Sequence, residues 1–263
     1  MSRFYQDKRH FVLRHGAINN PYLSRFRTGE LSDPELRDFA IEFYSFARFF
    51  PKILVSQLVN TEDESIAEEL TRVLYSELGD GNPHHRHELL YRRFLTSVGI
   101  SIQEAHSRPM MPSTKAYIDG MESLYSSGNH EQALGASFGL ENMAITMWDH
   151  LIPGLQTLRN SRHPRMDIEY FTFHRDLEAT HEQAMENAVS ALESHSSSGG
   201  SLSPEEETNF SNGVKKVLDY LEGFWMGLER NREHLPGTTM TGSSRSPMGL
   251  IIERTSFLTG GIL

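Results

Sequence analysis

The amino-acid sequence predicts an all-α bundle of about seven helices, and three observations carry that prediction. Apolar residues recur at helical spacing through most of the chain, as Ile66, Leu70, Val73 and Leu74 do. Helix-start signals with proline in the first turn stand at Ser32-Asp33-Pro34-Glu35 and at Ser203-Pro204-Glu205-Glu206. No segment alternates apolar and polar residues over the length of a strand, and no internal repeat is visible.

Taken in order, the first predicted helix opens at Ser32 and runs to about Asn60, rich in aromatics and carrying Pro51 in its interior. A second, from about Thr61 to Leu78, ends at Gly79-Asp80-Gly81-Asn82-Pro83, which cannot continue a regular helix. A third runs from about His84 to Val98, and Ser101 with Glu104 forms a capping box for a short turn. Further helices fit 113–127, 130–152, 165–194 and 204–233. The polar break His195–Ser203 reads as a long helix–helix loop. Residues 1–235 are expected to form the bundle. The Gly-, Ser- and Thr-rich stretch 236–263 is expected to be a flexible or partner-dependent tail.

Composition narrows the chemistry. A net charge of −10 argues against nucleic acid or an anionic membrane as the main partner. The absence of cysteine excludes disulfides, thiolate metal sites, Fe–S clusters and thiol nucleophiles, so any metal must use nitrogen and oxygen ligands. No leader-like apolar segment opens the chain and no run long enough to span a bilayer occurs, from which a soluble, cytoplasmic protein is expected.

Three segments place ionisable residues where the pattern asks for apolar ones. His174, Glu178 and His181 share one helical face, Glu178 about 40° and His181 about 20° from His174, and that face continues through Leu177, Met185, Ala188 and Leu192. Two imidazoles and a carboxylate on a core-facing stripe are costly to bury unless something binds them. Glu77 extends the stripe of Val73 and Leu74, and Glu141 has Phe138, Ala144, Ile145 and Trp148 as its helical neighbours. His87 follows Glu77 by ten residues, after a Gly/Pro break that can turn its helix back; His84 and His85 compete with it. Carboxylates and imidazoles projecting from several helices into a bundle core are how dinuclear iron or manganese sites are built. Nitrogen and oxygen ligands without sulfur suit Fe(II) or Mn(II).

Together, ELGDGNPHHRHELL at 77–90, the lone Glu141 and His174-x3-Glu178-x2-His181 resemble the ligand signature of the heme-oxygenase-like diiron oxidases and oxygenases. That signature is a Glu, a Gly-x-Gly-x-Pro turn with a His ten residues on, a mid-helix Glu, and His-x3-Asp/Glu-x2-His. The resemblance spans roughly 20–230 and implies a seven-helix heme-oxygenase-like bundle without haem. Its implied metal ligands are Glu77, His87, Glu141, His174, Glu178 and His181, holding two Fe(II) that activate O2 as co-substrate, with Mn as the alternative metal. It further implies a homodimer, an external electron donor and a small metabolite substrate of amino-acid type. The reaction would be N-oxygenation, hydroxylation, desaturation or C–C cleavage.

Departures and rivals accompany this reading. Glu178 stands where many members carry Asp, and Glu42 is a candidate for the extra carboxylate that some members use. The self-sacrificing p-aminobenzoate synthase branch is similar at Phe43–Lys52 and Tyr170-Phe171-Thr172. Its sacrificed tyrosine falls on Leu23, however, with Tyr22 one position away, and its lysine falls on Leu151. A metal-independent thiaminase-like or quinone-cofactor-biosynthesis protein on the same fold is one rival, and a non-catalytic helical interaction protein another. The blander readings of single residues are a solvated polar cluster for the His174 face, a helix-end charge for Glu77 and a buried ion pair for Glu141. Arg48 and Lys52 are either surface charges or a grip for a substrate carboxylate.

Overall fold

The computed structural model describes residues 2–196 and 200–235, and these hold ten α-helices, two short 3-10 turns and no strand. The chain opens with two helices that the pattern did not announce, α1 (Arg3–Arg14) and α2 (Pro21–Arg27). α1 fully buries only Tyr5 and Val12, too few to draw an apolar stripe, and α2 is two turns long. Their caps were the legible signal: Ser2 accepts from the Tyr5 N–H and Asn20 from the Leu23 N–H.

α3 (Asp33–Val59) starts at the expected place, where Ser32 and Glu35 exchange side-chain-to-backbone hydrogen bonds. α4 (Glu64–Glu77) is capped by the Asp63 side chain and stops at Glu77. A 3-10 turn over Pro83–His85 then precedes α5 (His87–Ser97), so the helix expected from about 84 begins three residues later. There follow α6 (Ile102–Ser107), α7 (Pro112–Tyr125), α8 (His130–Ser161), α9 (Glu169–His195) and α10 (Pro204–Asn231). The expected count of seven is exceeded by α1, α2 and the short α6.

α8 also runs nine residues past its expected end, through Pro153. Proline removes the hydrogen bond to the carbonyl four residues back. That carbonyl belongs to Asp149, an exposed residue, where water can take the place of the lost donor. Beyond the proline, Leu155 and Leu158 are fully buried and hold the last turns on the core.

α8 is the central element, packed against α10, α9 and α2, while α4 lies on α9 and α3 spans α7, α4 and α5. The α8–α10 crossing is close enough that a Cβ on Gly213 would lie 1.9 Å from the Gln132 carbonyl oxygen. An aromatic cluster of Phe39, Phe43, Tyr91, Phe171, Phe224 and Trp225 fills the middle of the bundle, and Phe43 contacts both Tyr91 and Trp225 face to face. No helix among the described residues is long and apolar enough to cross a membrane. The expected tail, 236–263, lies outside the described residues, as do 197–199 of the α9–α10 connection.

Candidate metal centre

The sequence around Glu77 builds a reversal. Glu77 closes α4, and Gly79, Asp80 and Gly81 then take positive φ angles of 95°, 49° and 79°. Left-handed residues in succession turn the chain back on itself, a conformation glycine adopts without steric cost. α5 therefore begins beside the end of α4, with His87 as its first residue and its Nδ1 2.7 Å from Glu77 Oε2. His84 is exposed, and His85 lies with its ring 5.1 Å from that of Phe173. Of the three neighbouring histidines, His87 is the one brought to Glu77.

α9 passes behind this corner and contributes His174, one turn later Glu178, and then His181, while α8 contributes Glu141. The six side chains gather in two groups, Glu77/His87/His174 and Glu141/Glu178/His181, each with ligand atoms within 4.8 Å of one another. His174 Nε2 is 3.9 Å from Glu77 Oε1; His181 Nδ1 is 3.3 Å from Glu141 Oε2 and 3.8 Å from Glu178 Oε2. Two atoms each bonded to one ion at about 2.1 Å sit roughly 3–4 Å apart, so these spacings suit a shared ion in each group.

All six residues are between 1% and 6% exposed. Among the described residues, the three carboxylates find their ionic partners only in these histidines, with no Lys or Arg near enough to pair. A polar cluster on a solvated helix face would be exposed, which these residues are not, and the buried ionic partner of Glu141 is His181, itself one of the six. His87 Nε2 and Glu178 Oε2 are buried with no hydrogen-bond partner. Each orphaned atom costs about 1–3 kcal/mol as it stands, and a bound cation relieves it. The donor set, the spacing and the orphaned atoms therefore fit one divalent ion per group.

Other groups orient three of the six. His174 Nδ1 lies 2.7 Å from the Tyr170 carbonyl oxygen, to which it donates, so Nε2 faces Glu77 with its lone pair. His181 is turned the other way, its Nε2 on the Ser76 hydroxyl at 3.1 Å and its Nδ1 toward the carboxylates. The Trp148 indole N–H donates to Glu178 Oε1 at 2.7 Å, leaving Oε2 for the centre. Burial pushes the Glu77 carboxyl up, but the neighbouring imidazoles, His87 above all, overcome it and hold the group down at about 2. Burial and His87 together hold His174 at about 3, so its imidazole is neutral at pH 7. Burial and the adjacent Glu141 raise Glu178, and although burial disfavours the charged imidazole, Glu141, Glu178 and Glu77 raise His181.

Five of the six line a cavity of about 30 Å³, His87 standing behind it. Its remaining walls are Phe46, Ala47, Phe50, Leu140, Met143, Ala144, Met147, Trp148 and Tyr170. Glu42, the candidate extra carboxylate, is elsewhere: it is buried against the start of α7, where its Oε2 accepts from the Met111 N–H at 3.0 Å. The position three residues before Phe46 on α3 is an aromatic, not an acid, and the α3 wall of the cavity offers no carboxylate. Arg48 and Lys52 lie over the Phe49 ring, at 4.6 and 5.6 Å, and neither lines this cavity. Ser76 was missed in the sequence; the signal was a small polar residue directly before the candidate ligand Glu77.

The sequence profile of the iron-containing redox enzymes matches residues 37–200, which include all six residues. The chain belongs to this iron-containing redox enzyme family. It is 27% identical over 217 residues to the 4-chloro-allylglycine synthase of Streptantibioticus cattleyicolor, covering 82% of this chain and 79% of that one. It is 23% identical over 164 residues to the 4-aminobenzoate synthase of Chlamydia muridarum, covering 62% and 68%. A domain from Shewanella denitrificans with a heme oxygenase-like fold superposes with a TM-score of 0.65 at 15% identity, over 87% of this chain and 90% of that one. The all-α fold of this family member is thus heme-oxygenase-like, and its chemistry is oxidation–reduction.

Proposed function

We propose that the protein is a non-haem diiron oxidoreductase that uses O2 to oxidise a small metabolite of amino-acid type. Glu77, His87 and His174 would hold one iron, and Glu141, Glu178 and His181 the other. Two Fe(II), when bound, supply two electrons to O2 and a Lewis-acidic surface for it. The observation that carries the reading is the pair of buried three-residue groups at one cavity, with no Lys or Arg among the described residues paired to their carboxylates.

The chain's own residues do the rest. The Tyr170 carbonyl, the Ser76 hydroxyl and the Trp148 indole fix which atoms of His174, His181 and Glu178 face inward. Phe46, Phe50, Leu140, Met143 and Met147 keep bulk water from the oxidising centre. A cavity of about 30 Å³ holds about one water molecule, so a substrate of amino-acid size would enter by displacing these side chains. The substrate class follows the relative named for making an allylglycine, an amino acid with an alkene in its side chain. That favours desaturation or C–C cleavage over N-oxygenation and hydroxylation. The reading includes a cytoplasmic homodimer, reduced by an external donor where the substrate does not itself supply all the electrons. Manganese is the alternative metal.

A self-sacrificing 4-aminobenzoate synthase is less well supported. The positions aligned with that branch's tyrosine and lysine are Leu23 and Leu151, both 0% exposed and chemically inert. Tyr22, the nearest phenol, is stacked on Trp225 at 5.7 Å. A metal-independent thiaminase-like activity would leave the six-residue constellation without a purpose.

The test is an anaerobic Fe(II) titration followed by rapid mixing with O2. Two irons per chain and a transient visible absorption, whose decay one amino acid in a panel accelerates, are expected. Fewer than two irons, or no reaction with O2, would overturn the reading.

A further inference from the structure

The two histidines of α9 are held by different parts of the molecule. His174 is fixed within its own helix, Nδ1 to the Tyr170 carbonyl oxygen one turn back, at 2.7 Å. His181 is fixed from another helix: its Nε2 lies 3.1 Å from Oγ of Ser76 on α4, and no second partner of that nitrogen stands among the described residues. Ser76 is 7% exposed and immediately precedes Glu77, a member of the other group. One turn of α4 thus reaches both groups, Glu77 directly and His181 through Ser76.

Behind Ser76 and His181 lies a surface groove of about 360 Å³, also lined by Tyr75, Asp80, Thr180 and Asn187. Without the hydroxyl, nothing on that side fixes the rotation of the imidazole about its Cβ–Cγ bond. Either ring nitrogen, or neither, can then face Glu141 and Glu178. The groove also gives a side chain at position 76 room for one more methyl group.

We propose that Ser76 is a positioning residue for the second ion: it holds His181 with Nδ1 toward Glu141 and Glu178. This rests on the two-ion reading above. Loss of an outer hydrogen-bond partner costs a metal site about 10–100-fold in affinity. That loss falls on Glu141/Glu178/His181 and spares Glu77/His87/His174, because the hydrogen bond of the Ser76 hydroxyl goes to His181 and to none of the latter three side chains.

The experiment titrates wild type, Ser76→Ala and Ser76→Thr with Co(II) against a competing chelator, reading stoichiometry, stepwise affinity and visible d–d absorption, with thermal melts of the metal-free proteins alongside. Ser76→Ala is expected to melt like wild type, bind the first ion normally, and bind the second about 10–100-fold more weakly with altered absorption. Ser76→Thr, which keeps the hydroxyl, restores the second step. Two normal steps in Ser76→Ala overturn the role of Ser76 alone. Equal weakening of both steps, or a lowered melting temperature with no rescue by Thr, also overturns it, since Ser76 then merely supports α4. Wild type that binds fewer than two ions sinks the metal centre, and this inference with it.

Discussion

Gly79 is where the reversal between α4 and α5 is most exposed to a single methyl group. Its φ is +95°, and a Cβ there would lie 2.4 Å from the Asn82 carbonyl oxygen and 2.8 Å from the Arg86 nitrogen. Both are backbone atoms and cannot rotate aside. An ordinary carbon–oxygen contact is about 3.3 Å, so Asn82 must move by about 0.9 Å. Gly99 is the natural control: its φ is +79°, and nothing lies within 4 Å of its would-be Cβ. Gly99→Ala therefore meets only the left-handed penalty, about 1–2 kcal/mol. Gly79→Ala meets the same penalty plus overpacking of about 1–3 kcal/mol. In a domain of this size each kcal/mol lowers the melting temperature by about 2–4 °C. The displacement also falls on the 2.7 Å contact between His87 and Glu77, so the ion step assigned to Glu77/His87/His174 should weaken at least about tenfold. The assay is thermal melting of the metal-free variants with an anaerobic Fe(II) titration of each. If Gly79→Ala melts with Gly99→Ala and binds iron like wild type, the turn does not set the site, and the reasoning fails.

Three further outcomes are expected. His87→Ala should lose one iron per chain, whereas His84→Ala and His85→Ala keep both; loss at His84 with none at His87 would show the wrong histidine to have been chosen. Because its carboxylate neighbours raise His181, its imidazole is charged at pH 7 in the metal-free protein and must shed a proton when an ion binds. The affinity of that step should therefore fall at least about tenfold per unit as pH drops below 7, because the raised Glu178 carboxyl of the same group adds its own proton, and calorimetry in buffers of different ionisation heat should detect proton release; none would refute the protonation argument. A chain ending at Leu235 carries all six candidate ligands and should keep two irons. An insoluble or metal-free truncation would place the tail within the core.

How far the site could be read in advance depended on the kind of signal. His174, Glu178 and His181 announced themselves because a carboxylate and two imidazoles interrupt an apolar face, and burial makes such an interruption expensive. Glu77 and His87 were legible through the Gly-x-Gly-x-Pro reversal between them. What did not show was whatever depends on a neighbour distant in sequence: Ser76 meets His181 across 105 residues, and no local pattern marks it. Glu42 illustrates the opposite error. It was a candidate for an extra carboxylate through the family resemblance alone, but its register on α3 turns it to the Met111 N–H. The helices were legible where apolar stripes were wide. They were missed in α1 and α2, whose few buried residues rest on a core made by others.

The Trp148–Glu178 hydrogen bond gives the three carboxylates unequal freedom. Glu178 has one oxygen tethered to an indole that is 2% exposed and cannot swing away, and Glu77 is clasped by His87 at 2.7 Å. Glu141 is held more loosely: its ionic contact is His181, at 3.3 Å, and it faces the cavity from α8. Were a metal pair bound, Glu141 would be the carboxylate freest to re-orient, with the other two acids as the fixed frame around it.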